Sequence, residues 1–467
     1  MPNDSKNSIY TMILIVVIQG IFVSGASAVE SVQPLTLNQT VISARKNDPW
    51  LIGNQHEQDA IESLSIVAGT LPDPKLSLGL ANIASDTFDF NQEGMTQFKT
   101  GISQLFPRGD SLEIKREQLS LMGSQYPYQR EDRKAQLTVV VARLWMDAYK
   151  AQESIALIDK DRALFEQLAD VAEASYSAAL GRTRQQDIVR AQLELTRLDD
   201  RLTVLKLQQE STWQRLSEWL SEYIGGGYSQ QAMSEAKFNV SSILPDIQIL
   251  DANLFADQVA VEPQILFEHL SSHPAVLAVD QKIKASRSGI ELAKQNYKPE
   301  WGVNASYGVR RDADNGADRS DLFSLGVTID LPFFTANRQD KQLSSAVSSA
   351  SAVETEKWLL IRQMVAAIET NHFELSRLNE RRALYKDRLL PQMHDQAEAS
   401  LTAYTNDDGD FAEVVRARIA ELNATIDDLG IRVDRQKSII QLNYYFMKQA
   451  EAITSTQLSA STSGEEK

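Results

Sequence analysis

The sequence predicts a mainly α protein with a small β part, built from a helix-strand-strand-helix-helix unit that occurs twice. Three observations carry this. Pro49, Pro74, Gly101 and Pro107 recur as Pro274, Pro299, Gly326 and Pro332, each 225 residues later, and Ala60 and Ala68 fall on Ala285 and Ala293 at the same offset. With only 21 glycines and 13 prolines in 467 residues, four such residues in register are a poor product of chance. In each copy, runs of period two follow the first punctuating prolines. Helical heptads then follow the runs.

Each copy opens on a helical segment, 35 to about 69 and 263 to about 297, with few breakers. Two strands come next, at about 75–84 and 96–106 in the first copy and about 300–310 and 321–331 in the second. Leu76, Leu78 and Leu80 alternate with Ser77, Gly79 and Ala81; Trp301, Val303, Ala305 and Tyr307 alternate with Gly302, Asn304, Ser306 and Gly308. The returning strands put Phe98, Thr100, Ile102, Gln104 and Phe106, and Phe323, Leu325, Val327, Ile329 and Leu331, on one face. Gly101 and Gly326 then share the polar face. The connections, 85–95 and 311–321, are rich in Asp, Asn and Gly and read as exposed loops.

Long helices follow, a coiled hairpin of about 112–222 with an interruption at 123–127, and a second of about 338–449. The returning helix of the first carries Ile188, Ala191, Leu195, Leu198, Leu202 and Leu205. Its counterpart carries Val415, Ile419, Leu422, Ile426, Leu429 and Val433. Steps of three and four sustained in this way make a coiled-coil seam, a packing surface with no catalytic role. The first repeat thus covers 29–222, the second 263–449, with a linker at 223–262 and a tail at 450–467.

The N-terminus reads as an export signal over residues 1–28. Lys6 precedes an apolar run from Met12 to Val23, and Ala26-Ser27-Ala28 offers the small residues that a signal peptidase accepts. No later stretch reaches the ~20 apolar residues of a membrane-spanning helix, so any later membrane contact must use strands or a surface. A net charge of −16 without a basic block argues against nucleic acid as a partner. Cysteine is absent, which excludes disulfides and thiolate metal sites. His56, His269, His273, His372 and His394 form no HExxH pattern, and neither a phosphate loop nor a nucleophile elbow is present. The residues therefore point to no enzyme, no cofactor and no metal site. Four strands cannot close a barrel, and an open sheet in lipid would leave unsatisfied edges, so a membrane location demands oligomerisation; three chains would supply twelve strands.

Over essentially the whole mature chain the sequence resembles the TolC-like outer-membrane efflux channels. The resemblance rests on the duplication, on "NDPWL" and "SHPAVL", on "GISQLFPRG" and "GVTIDLPFF", and on the turns "ALGRTRQQDIVRAQ" and "YTNDDGDFAEVVRA". It implies a homotrimer with a twelve-stranded β-barrel in outer-membrane lipid, continued by a long periplasmic α-helical barrel of coiled hairpins. It further implies a passive duct that docks a periplasmic adaptor (membrane fusion) protein and, through it, an inner-membrane transporter of RND type. Opening would be an untwisting of the tip helices. On the family's tip motif, Gly181, Arg182, Thr183 and Asp187 fall at the first tip and Asp407, Gly409 and Phe411 at the second, as adaptor-docking positions. Glu413 and Arg416 fall at the periplasmic gate, where pairing between neighbouring helices would hold the tip shut. Gly101 and Gly326 would line the barrel lumen.

Cargo is read from overall similarity alone: "LPDPKLSLGLANI" and "EGMTQFKTGISQLFPRG" look most like the heavy-metal branch, with drug efflux and type I protein secretion as alternatives. A different class, a periplasmic coiled-coil adaptor or scaffold, would show one hairpin inserted in a small β-domain, not a duplicated unit.

Overall fold

The computed structural model describes residues 34–177, 185–221, 223–224, 227–228, 239–250, 262–313, 315–406 and 410–447. The signal segment and the tail after 450 lie outside the described residues. The element order is α1 (Leu37–Asn47), α2 (Pro49–Ala68), β1 (Lys75–Ala81), β2 (Gln97–Phe106), α3 (Ser111–Gly123), α4 (Tyr126–Ser177) and α5 (Gln185–Leu220). A two-residue ladder, β3 (Tyr223–Ile224) with β4 (Gly227–Tyr228), stands in the predicted linker. The second repeat supplies α6 (Pro263–Leu270), α7 (Pro274–Gln295), β5 (Glu300–Val309), β6 (Leu322–Asp330), α8 (Gln339–Leu384), a π turn at Tyr385–Leu389, α9 (Leu390–Thr405) and α10 (Phe411–Tyr445).

Two predicted helical segments are each split, for one reason. A residue before proline is pushed out of the α region, and Asp48 and His273, which precede Pro49 and Pro274, have ψ of 108° and 136°. Both then cap the helix they precede: Asp48 Oδ1 accepts from the Trp50 N–H at 3.2 Å, and His273 Nδ1 accepts from the Ala275 N–H at 3.2 Å. The break expected at 123–127 lies between α3 and α4. At ~1.5 Å per residue the 52 residues of α4 run ~78 Å. The strands start or stop one to three residues inside their predicted bounds. β1 ends at Ala81 because Asn82 turns the chain with φ of 58°, and Thr96 Oγ1 closes the hairpin by donating to the Asn82 carbonyl at 2.8 Å.

The four long strands form one antiparallel sheet in the order β1-β2-β5-β6, so the two repeats meet at its centre through β2 and β5. The helices that continue the strands follow the same order: α2 packs on α3, α3 on α7, and α7 on α8. Farther from the sheet, α5 packs on α4, α4 on α10, and α10 on α9. The described residues therefore form a curtain with two free sides.

The seams predicted from heptads are the seams found. Ala191, Leu198 and Leu202 of α5 are buried with Val415, Leu422 and Ile426 of α10 and with Ile158 and Phe165 of α4, while Ile188, Leu195, Leu205 and Ile419 pack against that cluster. A second core joins α1, α4, α5 and α10 around Trp145, whose indole N–H donates to the Leu35 carbonyl at 2.8 Å. A third gathers α6, α7, α8 and α10 around Leu266, Ile368 and Leu442. Among the described residues no helix is long and apolar enough to cross a membrane.

Candidate functional site

The wall begins with the sheet. Its register aligns the apolar set in rows: Leu76 opposite Ile102 opposite Ala305 opposite Leu325, and Leu80 opposite Phe98 opposite Val309. Among the described residues nothing covers this face. Leu76, Leu78, Leu325 and Val327 are more than half exposed, Leu325 at 70%. Apolar side chains left bare over a whole sheet face require a non-aqueous neighbour, and hydrocarbon supplies it. Aromatic residues flank the band, with Phe98, Tyr307 and Phe323 at the loop end and Phe106 and Trp301 at the helix end, the distribution that membrane interfaces favour. Phe333 and Phe334 follow at the helix end, Phe334 being 93% exposed.

On the opposite face small and polar residues align in the same way. Ser77, Gly101, Ser306 and Ser324 form one row, and Lys75, Ser103, Asn304 and Gly326 another. Gly101 and Gly326 thus share the polar face, as the register predicted. A Cβ at Gly101 would meet Ser77 Oγ at 2.7 Å, and one at Gly326 would meet Asn304 Oδ1 at 2.6 Å.

Strand and helix are joined by a knot that links the repeats. After Pro107, Arg108 donates to the carbonyls of Asn296 (3.3 Å) and Lys298 (2.8 Å) and pairs with Asp330 at the end of β6. Lys298 in turn pairs with Asp110 at 2.8 Å. Gly109 between them has φ of 47° and sits against Lys298 and Gln295, where no larger residue fits.

The predicted tip residues fare differently. Gly181, Arg182, Thr183, Asp407 and Gly409 lie outside the described residues, as does the side chain of Asp187, which stands in the first turn of α5. Asp410 caps α10, its Oδ1 accepting from the Ala412 N–H at 3.2 Å. Phe411 is not a surface residue. It is 2% exposed, lies edge-on to Tyr404 with ring centroids 5.6 Å apart, and belongs to the core of α4, α5 and α10. The spacing that put it beside the turn gave no sign that the first residue of α10 points inward, so its place among docking residues is corrected to packing.

Glu413 and Arg416 do pair, but along one helix: the ion pair spans 2.9 Å at i,i+3 on the exposed side of α10, and Arg416 Nε also donates to the Ala412 carbonyl at 3.3 Å. The pairing expected between neighbouring helices is replaced within this chain by a local one, since three residues on a helix bring the two side chains together without any partner helix.

Sequence reasoning missed a second charged group nearby. Arg418 of α10 holds Glu398 of α9 at 2.5 Å and Glu421 at 2.9 Å, and Glu421 takes His394 of α9 at 2.7 Å. The hydrogen bond to Glu421 and its charge raise the His394 pKa, and Arg418 holds the Glu398 carboxyl below its usual range. Their signal in the sequence, acids and bases scattered over two helices, has no meaning until the register of the helices is known. His273 is equally explained by position. Besides capping α7 it is buried, and its Nε2 lies 3.0 Å from the Tyr444 carbonyl, which leaves neither nitrogen for a metal. Burial lowers its pKa.

Comparison with known proteins follows this geometry. Residues 266–445 match the model of the outer membrane efflux protein family. No curated protein sequence matches the chain. Among solved structures, the outer-membrane channel OprN matches with a TM-score of 0.71 at 14% identity, over 89% of this chain and 90% of that one. VceC, the outer membrane protein of Vibrio cholerae, matches with a TM-score of 0.69 at 13% identity, over 88% and 96%. CusC, whose structures describe transmembrane channel formation, matches with a TM-score of 0.67 at 14% identity, over 88% and 91%. The family match in the second repeat, the channel fold across both repeats and the bare apolar sheet face lead to one conclusion: residues 266–445 are similar to the outer membrane efflux proteins, and the chain as a whole has the fold of outer-membrane channels.

Proposed function

We propose that three copies of this chain form the exit duct of a tripartite efflux system. The observation that carries this reading is the pair of free sides. Among the described residues β1 and β6 each have an unpaired edge, and each is joined to a helix at the same side of the curtain, α2 and α8. Those edge helices expose apolar residues, Ile52, Leu64, Ile66 and Val67 on α2 and Val347, Trp358 and Leu359 on α8. Open strand edges are untenable in hydrocarbon, so β1 of one copy pairs with β6 of the next until the ring closes at twelve strands. The polar face with Gly101 and Gly326 then lines the bore.

The duct is passive, works without a cofactor and performs no reaction. Its periplasmic tips, Gly181–Thr183 with Asp187 and Asp407 with Gly409, dock a periplasmic adaptor, which couples the duct to an inner-membrane transporter of RND type. Opening is an untwisting of the tip helices beside Glu413 and Arg416. Heavy-metal cations are the cargo we assign, on the likeness of the 71–83 and 93–109 stretches to that branch. Purified protein in mild detergent should have the mass of a trimer and conduct ions in planar bilayers; a stable monomer without conductance would overturn the duct. Loss of the gene should sensitise cells to divalent metals. Sensitivity to dyes and antibiotics alone would reassign the cargo while leaving the duct intact.

A further inference from the structure

About two-thirds of the way along the rod of α8 and α9, α8, α10 and the segment 244–248 line a cleft of about 410 Å³ whose walls include Arg382, Arg432 and Arg435. On a chain of net charge −16, three guanidinium groups in one cleft are against the trend. They are poorly neutralised. Arg432 is paired with Asp428 at 2.9 Å, but Arg382 has no carboxylate partner among the described residues, and Arg435 reaches only Asn379 Oδ1 at 2.8 Å and, at 3.9 Å, Asp246. Asp246 is itself occupied. Its Oδ1 accepts from Gln436 Nε2 at 3.1 Å, its Oδ2 accepts from Gln248 Nε2 at 2.9 Å, and it is 74% exposed.

The cleft is also rigid. Gln436 Oε1 accepts from the Ile247 N–H at 3.0 Å, while Asn443 accepts from the Leu250 N–H and donates to the Gln248 carbonyl, both at 2.9 Å. The loop is thereby held against α10, and the one carboxylate it brings near the arginines, Asp246, stands at 3.9 Å from Arg435. Arg435 pays for its place, since burial and then the Arg382 charge disfavour its protonated form. Two like charges lining one cleft, Arg435 half-buried and Arg382 exposed, are stabilised by an oxyanion that forks between them.

We propose that this cleft is a binding site for an acidic peptide, with Arg382 and Arg435 gripping one carboxylate and the apolar rim of Leu244 and Pro245 receiving the adjoining chain. The volume is that of a small-ligand cleft. The class of ligand follows from where the cleft stands: Arg382 lies ~65 Å along α8 from the end next to the sheet, at ~1.5 Å per residue, and so in the periplasm. The polymer that fills that space, the cell wall, presents short peptides with free carboxylates. The site would tether the channel to the wall.

The test uses the full-length protein in detergent, titrated calorimetrically with soluble wall muropeptides and, separately, with inorganic phosphate. Muropeptides should bind, Arg382→Gln and Arg435→Gln should each weaken binding tenfold or more, and Asp246→Asn, which removes the one competing carboxylate, should tighten it severalfold. A fold-supporting role for these residues predicts none of that tightening. Absence of muropeptide binding, wild-type affinity in both arginine variants, or binding of phosphate alone would each overturn the proposal. So would a lower melting temperature of ligand-free Arg382→Gln, which would assign Arg382 to the fold. Conductance in bilayers is read in parallel and should not change, which separates failure of this site from failure of the duct.

Discussion

Replacing Phe411 by alanine separates two roles for the same residue. The side chain is almost fully buried against Tyr404 and between α4, α5 and α10 at the first turn of α10. Truncating a buried phenylalanine removes both its transfer free energy and its packing, about 3–5 kcal/mol together. Because the site is next to the tip, that loss falls first on local opening and not on the whole fold. At ~1.4 kcal/mol per decade, even the lower figure multiplies the open population more than about a hundredfold. Hydrogen exchange of the α10 amides from 411 to 426 reads this directly: protection should collapse there and persist around Ile439 and Leu442. Phe411→Leu, which keeps most of the volume, should cost about 1–1.5 kcal/mol and give an intermediate result. Unchanged protection in the alanine variant, with only adaptor affinity reduced, would refute the packing assignment and restore Phe411 to the docking surface.

Other outcomes follow from the same geometry. The raised His394 pKa means that its pairing with Glu421 stabilises α9 against α10 fully below the ordinary imidazole range and is lost as pH rises through the folded value; intrinsic-rate-corrected exchange in α9 should quicken from pH 6 to 8, and His394→Gln should abolish that dependence. Gly101→Gln and Gly326→Gln should lower single-channel conductance while the trimer survives detergent, whereas a lipid-facing position would leave conductance unchanged and weaken insertion. Leu325→Arg, on the bare apolar face, should cost about 2–4 kcal/mol of membrane stability, read by unfolding from lipid vesicles. Asp410→Ala should remove the α10 cap and cost about 1 kcal/mol in thermal unfolding of the tip.

Much of the fold was legible because it is written in punctuation and period. Gly101 and Gly326 share a face because alternate residues of a strand must, and the observed rows of Ser77, Gly101, Ser306 and Ser324 are the predicted parity made visible. Leu198, Leu202, Leu422 and Ile426 are buried because steps of three and four place them on one stripe. The splits at Pro49 and Pro274 went unread, although the restriction that proline puts on the residue before it was the signal for them. What escaped were pairings fixed by relative helix register. Nothing in the spacing of His394, Glu398, Arg418 and Glu421 reveals that they meet across α9 and α10. Nor could the chain alone announce that Arg382, 53 residues before Arg435, faces it across a cleft.

The π turn at Tyr385–Leu389 has a mechanical consequence. Proline cannot donate, so Pro391 deprives the turn before it of one hydrogen bond, and the widened turn lets the Leu390 N–H reach the Tyr385 carbonyl instead. No residue of that turn is buried, and below it only Ala397 of α9 is, whereas α8 above it buries Ile361, Met364, Ile368 and Leu375. Beside it α10 runs without a break from Phe411 to Tyr445 and α4 for 52 residues. One rod of the lower bundle therefore has a universal joint, while its neighbours are continuous shafts. If the far end turns as proposed above, the turn would fall at this joint and not in the strands.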